Sequence, residues 1–291
     1  MSDSNPLRLG TRGSELALWQ ARHVAKMVTD RLGRDCTIEI IKTSGDRIQN
    51  VAFRKMEGKG FFTKELQEAL HEARVNLVVH SLKDLPTEAP EGLEVIAIPE
   101  RANPADLVLA GPGLLQDPPA DPFDLPPGTA LGTSSLRRAA QALARNPKIE
   151  IRALRGNVPT RVRKLQEGEY DAILLAAAGV QRLGLDLGEL EARELTPEEM
   201  LPAPGQGALA IETRAGDPVT ACLKLLHAER VASCVAAERS LLEMLGGGCH
   251  LPLGALAVED PGGLRLQAVL GEIDDDATRA EIARVGGVAQ D

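Results

Sequence analysis

The sequence predicts an α/β protein: two strand–helix lobes joined by two crossing segments, with a small α+β domain at the C-terminal end. Three features of the chain predict it. Short apolar runs alternate with helically spaced apolar residues, once before residue 99 and again from residue 129 onward. Proline-marked connections, Pro99 to Pro104 and Leu201-Pro-Ala-Pro-Gly-Gln-Gly, break these runs and read as crossings. After Pro218 the alternation gives way to one helix followed by strands. The expected division is 1–99 plus 204–217 for the first lobe, 104–199 for the second and 218–291 for the C-terminal domain.

In the first lobe, Leu7 to Leu9 reads as a strand leading into Thr11-Arg12-Gly13-Ser14. Ser14 suits the N-cap of a helix whose apolar positions Ala17, Leu18, Ala21, Val24, Ala25, Val28 and Leu32 recur at three and four, with Gly33 ending it. Arg12 and Ser14 therefore sit where free backbone N–H groups favour an anion. Thr37 to Ile41 is the second strand. Residues 46–60 lack periodicity but carry Arg47, Arg54, Lys55 and Lys59, and read as a basic lid loop. A helix with Phe62, Leu66, Ala69, Leu70 and Ala73 on one face leads to Leu77-Val-Val, a third strand, and the three strands are expected to form a parallel sheet. His80, Ser81, Lys83 and Asp84 follow, and Pro86 stops any regular continuation. In an open α/β sheet the ligand crevice lies beyond the carboxyl ends of the strands, so Asp84 beside Lys83 is a candidate acid/base.

The second lobe repeats the scheme. Leu131 leads into Gly-Thr-Ser-Ser, and Ser134 or Ser135 caps a helix through Asn146. Ile149 to Ala153 is a strand, Arg155-Gly156-Asn157 a turn, and Pro159 fits the first turn of a helix reaching Glu167. Ala172 to Ala176 is a buried strand, and Ala208 to Glu212 a strand able to return to the first lobe. In the last domain a helix near Val231 to Leu245 ends at three glycines carrying Cys249, and strands are expected at Leu253 to Val258, Leu264 to Leu270 and Glu281 to Val285.

With 43% hydrophobic and only 2% aromatic residues, the cores must be aliphatic. No stretch approaches the ~18 uninterrupted apolar residues of a membrane span, and the amino end has neither the basic flank nor the apolar region of a secretory signal. Cys36, Cys222, Cys234 and Cys249 show no Cys-x-x-Cys spacing, which fits reduced thiols in the cytoplasm. The net charge, 33 − 42 = −9, argues against general nucleic-acid or anionic-membrane binding. Yet from Thr129 to Lys164 nine Arg and Lys face one acid, Glu150. Arg145, Lys148 and Arg163 read as a solvated helix face. The remaining arginines recur beside capping hydroxyls and glycines in strand-to-helix turns, where guanidinium forks and helix amino ends favour carboxylates. Turned toward one cleft, these groups would hold a small polyanion. Walker, dinucleotide, zinc and Gly-x-Ser-x-Gly patterns are missing, and no metal is expected. Cys249, after a helix end and three glycines, reads as an accessible thiol able to hold a group covalently. A non-catalytic two-lobed polycarboxylate receptor and a basic-cleft nucleic-acid binder stay open at this point.

Taken together, Thr-Arg-Gly-Ser-Glu-Leu-Ala-Leu-Trp-Gln-Ala (11–21), Gly-Lys-Gly-Phe-Phe-Thr-Lys-Glu-Leu (58–66), His-Ser-Leu-Lys-Asp-Leu-Pro (80–86), Gly-Thr-Ser-Ser-Leu-Arg-Arg (132–138), Leu-Arg-Gly-Asn-Val-Pro-Thr-Arg (154–161), Pro-Ala-Pro-Gly-Gln-Gly-Ala (202–208) and Gly-Gly-Cys-His-Leu-Pro-Leu-Gly (247–254) closely resemble the porphobilinogen deaminase (hydroxymethylbilane synthase) family, over nearly the whole chain. The resemblance implies two periplasmic-binding-protein-like lobes, a third domain, and a dipyrromethane cofactor covalently attached through a thioether at Cys249. Asp84 matches the catalytic aspartate. Lys83, Ser135, Arg137, Arg138 and Arg155 match cofactor-binding positions; Arg12, Ser14, Arg155, Arg161 and Arg182 match substrate-binding positions; Lys55 and Lys59 match the loop over the cleft. The implied reaction joins four porphobilinogens head to tail on the two-ring primer, with loss of ammonia at each addition, and releases the tetrapyrrole. A cytoplasmic monomer without nucleic-acid or membrane partners is expected. Two departures stand out: His250 replaces the family's usual Gln beside the cysteine, and the chain ends at Asp291 where relatives continue with a terminal helix.

Overall fold

In a computed structural model of the chain, the described residues are 5–43, 63–115, 121–248, 251–274 and 277–289. The whole expected basic loop (46–60) with Lys55 and Lys59, together with Phe62, Cys249 and His250, lies outside them. The elements run β1 (Leu7–Thr11), α1 (Glu15–Leu32), β2 (Cys36–Ile40), α2 (Lys64–His71), β3 (Leu77–Ser81), a 3-10 turn (Leu82–Asp84) and β4 (Leu93–Ala97). They continue with β5 (Asp106–Ala110), β6 (Ala130–Gly132), α3 (Leu136–Arg145), β7 (Glu150–Arg152), α4 (Val158–Gln166), β8 (Ala172–Ala176), α5 (Ala177–Leu183) and β9 (Glu191–Glu194). The last are β10 (Leu209–Arg214), α6 (Thr220–Leu223), α7 (Glu229–Met244), β11 (Leu253–Asp260), β12 (Gly263–Ile273) and β13 (Ala280–Ala289).

Two compact units result, Met1–Ala102 with Ala208–Ser233, and Asn103–Gly207 with Cys234–Asp291. Each contains a five-stranded sheet, ordered β2-β1-β3-β10-β4 in the first and β7-β6-β8-β5-β9 in the second. The two orders are the same design. Three parallel strands (β2, β1, β3 and β7, β6, β8) are followed by the strand that arrives after a crossing segment, which runs antiparallel, and then by an edge strand. The sheets are therefore mixed rather than parallel, because a strand entering from a crossing comes in from the opposite end.

Three strands went unpredicted. β5 is buried along its whole length, but its five residues lie between a proline-marked hinge and a Pro/Gly-rich loop and offer little periodicity. β9, Glu-Ala-Arg-Glu, is too polar to read as a strand and survives as an edge. β4 pairs only with β10, a partner more than a hundred residues away in sequence.

Expected caps are realised. Ser14 accepts from the Ala17 N–H and Gly33 closes α1 in the left-handed region at φ 62°. The apolar face of α1 (Ala21, Val24, Met27, Val28) packs on Leu7, Leu9, Leu77 and Val79. The face of α2 (Leu66, Ala69, Leu70) packs on Val75 and Val78 from the other side of β3. Ala73, expected on that face, lies past the helix end.

The three-stranded antiparallel sheet β11-β12-β13 belongs to the second unit. One face takes Leu241 and Leu242 of α7 on Leu253, Ala255, Leu266 and Ala268; Leu256 and Val269 on the other pack against Leu201. Gly254 is where β11 comes closest, since a Cβ there would stand 2.7 Å from the Leu201 carbonyl oxygen. Backbone cannot step aside as a side chain can. Gly254→Ala should therefore lower the unfolding free energy by about 1–3 kcal/mol, read as a reduced denaturant midpoint with unchanged slope.

Candidate functional site

Arg182 apart, the described polar residues singled out by sequence fall at the carboxyl ends of strands and the amino ends of the helices after them. Arg12 follows β1, half-buried. Ser135 Oγ caps α3 by accepting the Arg138 N–H, and Asn157 Oδ1 caps α4 by accepting the Thr160 N–H at 2.9 Å. Arg155 is half-buried in the turn before α4; Arg161 Nε donates to the Gly156 carbonyl at 2.7 Å. Gly156 has φ 110°, open to glycine, and its missing Cβ would meet Thr160 at 2.7 Å. Arg182, at the end of α5, donates to the Gly207 carbonyl at 2.8 Å, which ties it to the second proline-rich segment.

In the first unit, the turn after β3 is anchored by backbone and by packing. The Leu82 N–H donates to the Ala208 carbonyl at 3.0 Å and the Leu85 N–H to the Leu82 carbonyl at 3.1 Å. Leu82 and Leu85 point inward, so Lys83 is left half-buried and Asp84 exposed. Behind the turn, Gln20 Nε2 donates to Ser81 Oγ at 2.8 Å. On the opposite face of β3, buried His80 meets buried Glu212, Nε2 to Oε2, at 3.1 Å, and Gln67 Nε2 donates to Glu212 Oε1 at 3.1 Å. No role for His80 is legible in the sequence, and Gln20, Gln67 and Glu212 carry no local signal at all. Only the sheet order brings them together.

In the second unit Arg137 and Arg138 are only 5% and 6% exposed, and both grip Asp106, the first residue of β5, which is fully buried. Arg137 reaches Asp106 Oδ2 at 2.5 Å and Oδ1 at 3.2 Å; Arg138 Nε reaches Oδ1 at 2.9 Å. Gln206 Nε2 donates to the same Oδ1 at 3.1 Å. Arg137 also donates to the Leu201 carbonyl and Arg138 to the Leu174 carbonyl. Burial would push the Asp106 carboxyl up, but the two guanidiniums outweigh it and hold the group well below the usual carboxylate range. Burial pulls Arg138 below its ordinary value, against the attraction of Asp106. Over these three side chains the charge is +2 − 1 = +1. Each guanidinium has five N–H donors, more than these contacts take up. A buried positive excess at a helix amino end is a place for an anion. Asp106, missed by the sequence reading, announces itself only as an acid opening an apolar run.

The arginines read as a solvated face behave so: Arg145 pairs with Asp121, and Arg163 lies 3.7 Å from Glu167. Among the described residues no group of three or more His, Cys, Asp or Glu is placed to hold a metal ion. No helix among them is long and apolar enough to cross a membrane.

The family model "Porphobilinogen deaminase, dipyromethane cofactor binding domain" matches residues 7–221, and "Porphobilinogen deaminase, C-terminal domain" matches residues 232–290. The porphobilinogen deaminase of Thiobacillus denitrificans is 44% identical over 288 residues, spanning 98% of this chain and 90% of that one. That of Phenylobacterium zucineum is 45% identical over 271 residues (89% and 82% of the two chains). That of Neisseria meningitidis serogroup A is 46% identical over 275 residues (93% and 86%). Among solved structures, the Bordetella pertussis BvgS periplasmic VFT2 domain superposes with a TM-score of 0.46 at 13% identity, covering 82% of this chain and 95% of that one.

The folded-state carboxyl of Asp106 lies below its unfolded value, so its contribution to stability is present above about pH 4 and is lost as pH falls through the folded-state value. Asp106→Asn should cost about 3–5 kcal/mol at neutral pH by leaving buried guanidinium charge uncompensated. The variant's stability should also fall less steeply on acidification, measured by urea unfolding from pH 7 to pH 3.

Proposed function

The chain belongs to the porphobilinogen deaminase family, and from that membership we propose which of its residues bind, hold and move protons. The reaction is the family's: a transferase deaminates porphobilinogen, joins four molecules head to tail on a covalent dipyrromethane primer, and releases hydroxymethylbilane for tetrapyrrole synthesis. When bound, the dipyrromethane supplies the pyrrole terminus on which the new chain is built. Its acetate and propionate groups are anions, and the buried positive excess around Asp106 suits them.

That excess is the observation carrying the reading. Arg137 and Arg138 hold carboxylates of the cofactor with N–H donors that Asp106 leaves over, and Ser135, Lys83 and Arg155 add further donors. Cys249 provides the thioether sulfur. Arg12, Ser14, Arg155 and Arg161, near helix amino ends, and Arg182, in the last turn of α5, bind the carboxylates of porphobilinogen and of the lengthening product. Lys55 and Lys59 we assign to the basic loop over the cleft.

Asp84 moves the protons. Loss of ammonia requires a proton on the departing amine and leaves a cationic, electron-poor ring; an exposed carboxyl on a rigid turn delivers the first and stabilises the second. Once the new carbon–carbon bond exists, the substituted ring carbon gives its proton to the same carboxylate and the ring regains aromaticity. Anion binding by fixed arginines excludes neutral pyrroles and retains the product until it is complete. We also assign the chain to the cytoplasm as a monomer, divided into 1–99 plus 204–217, 104–199 and 218–291.

Intact-mass measurement of the purified protein should show an adduct of two pyrrole units that is lost in Cys249→Ala. With porphobilinogen, and uroporphyrin followed after oxidation, Asp84→Ala should lose about 10²-fold or more in rate, the contribution expected of a positioned acid/base. Asp84→Glu should retain weak turnover. An active alanine variant removes the role assigned to Asp84.

A further inference from the structure

We infer that His80, held by Glu212, which Gln67 holds in turn, is the positioning residue that aims the Asp84 carboxylate; the inference rests on the reading of Asp84 as the proton-transfer group. The Asp84 side chain is exposed, so its direction follows from the backbone of the Leu82–Asp84 turn. That turn grows directly out of β3, whose last residues are tied on both faces. Ser81 is held by Gln20 of α1 on one face. His80 is held on the other, and there β10 runs antiparallel with Ala210 opposite His80 and Glu212 opposite Val78. Glu212 is thus the diagonal neighbour of His80 on the same sheet face, within reach of a long side chain. β10 also follows directly from Ala208, whose carbonyl accepts from the Leu82 N–H. One strand therefore fixes the turn through its backbone and through the His80 side chain.

The chemistry of the network argues that stability alone does not require it. Gln67 Nε2 can only donate, so Glu212 Oε1 accepts, while Oε2 faces His80 Nε2. The result is a carboxylate with 1% exposure whose partner is 5% exposed. Apolar residues of similar volume would fill the same space at equal or lower free energy. What apolar residues lack is direction. A hydrogen-bonded imidazole fixes the end of β3 in rotation and along the strand, and a catalytic group misplaced by about 1 Å can lose 10²-fold in rate.

The test uses cofactor-loaded holoenzyme carrying Glu212→Gln and, separately, the paired change His80→Phe with Glu212→Leu, which keeps the volume and leaves no buried charge alone. In both, kcat should fall about tenfold or more while KM for porphobilinogen stays within about twofold, with the cofactor adduct still present by intact mass. Amide exchange at Leu82 and Leu85 should speed up. In an Asp84→Glu background the same changes should add little, because both act on one group. An unchanged kcat in the paired variant overturns the inference, as does a loss that multiplies fully with Asp84→Glu. If Asp84→Ala itself retains turnover, the role of Asp84 falls first, an outcome distinct from an inactive Asp84→Ala beside a fully active paired variant.

Discussion

A single carboxylate, Asp106, holds the second unit's site together. It opens β5, the strand that arrives from a crossing segment and slots antiparallel beside β8, so it is buried at birth. An isolated carboxylate there would be prohibitive. Two guanidiniums from the first turn of α3 make it tolerable, yet those arginines sit at a helix amino end, where the macrodipole disfavours cations. Neither Asp106 nor the arginine pair is well placed alone. Together they satisfy one another and still leave positive charge, which gives the fold a reason to take up an anion.

The same topology serves the first unit with opposite emphasis. There too the third parallel strand is flanked by the strand returning from a crossing, β10 beside β3. Leu209 opposes Ser81 at the strand end much as Asp106 opposes Ala176 in the other sheet. The first unit places an apolar residue, Leu209, at that point, where the second places a buried carboxylate. Its buried acid sits deeper, at Glu212, with His80. The acid near the surface, Asp84, is left outward by the inward packing of Leu82 and Leu85 on either side. One unit pairs its buried acid with two guanidiniums; the other pairs its buried acid with an imidazole and a side-chain amide and leaves a second acid exposed.

Much of this could be read from the chain because capping is local. Ser14, Ser135 and Gly33 declare helix ends through contacts spanning three or four residues, and the structure realises each of them. Buried parallel strands such as Ala172–Ala176 are equally plain, since burial on both faces writes an unbroken apolar run. What escaped is what depends on distant partners. β4 exists because β10 lies beside it, and polar β9 exists because β5 does. Glu212 and Gln67 are 145 residues apart, and Asp106 is 31 residues from Arg137. Nothing within either neighbourhood marks these pairs.

The residue types alone do not separate Asp84 from Asp106. Each adjoins a short apolar run, Asp84 after one and Asp106 before one, and both lie near basic side chains, one beside Lys83, the other against Arg137 and Arg138. Their roles differ because of what surrounds the carboxyl. Asp106, enclosed and doubly ion-paired, is pinned in its ionised form and cannot exchange a proton at ordinary pH. Asp84 stands on a one-turn helix with its carboxyl open to solvent, where a substrate can reach it. A group that must transfer protons has to be accessible, and accessibility weakens its own side-chain anchoring. The rigidity must then come from behind, through the backbone of the turn and the polar atoms buried beneath it. On the positioning role inferred for His80, the polar side chains buried at the end of β3 supply that rigidity to an exposed carboxylate.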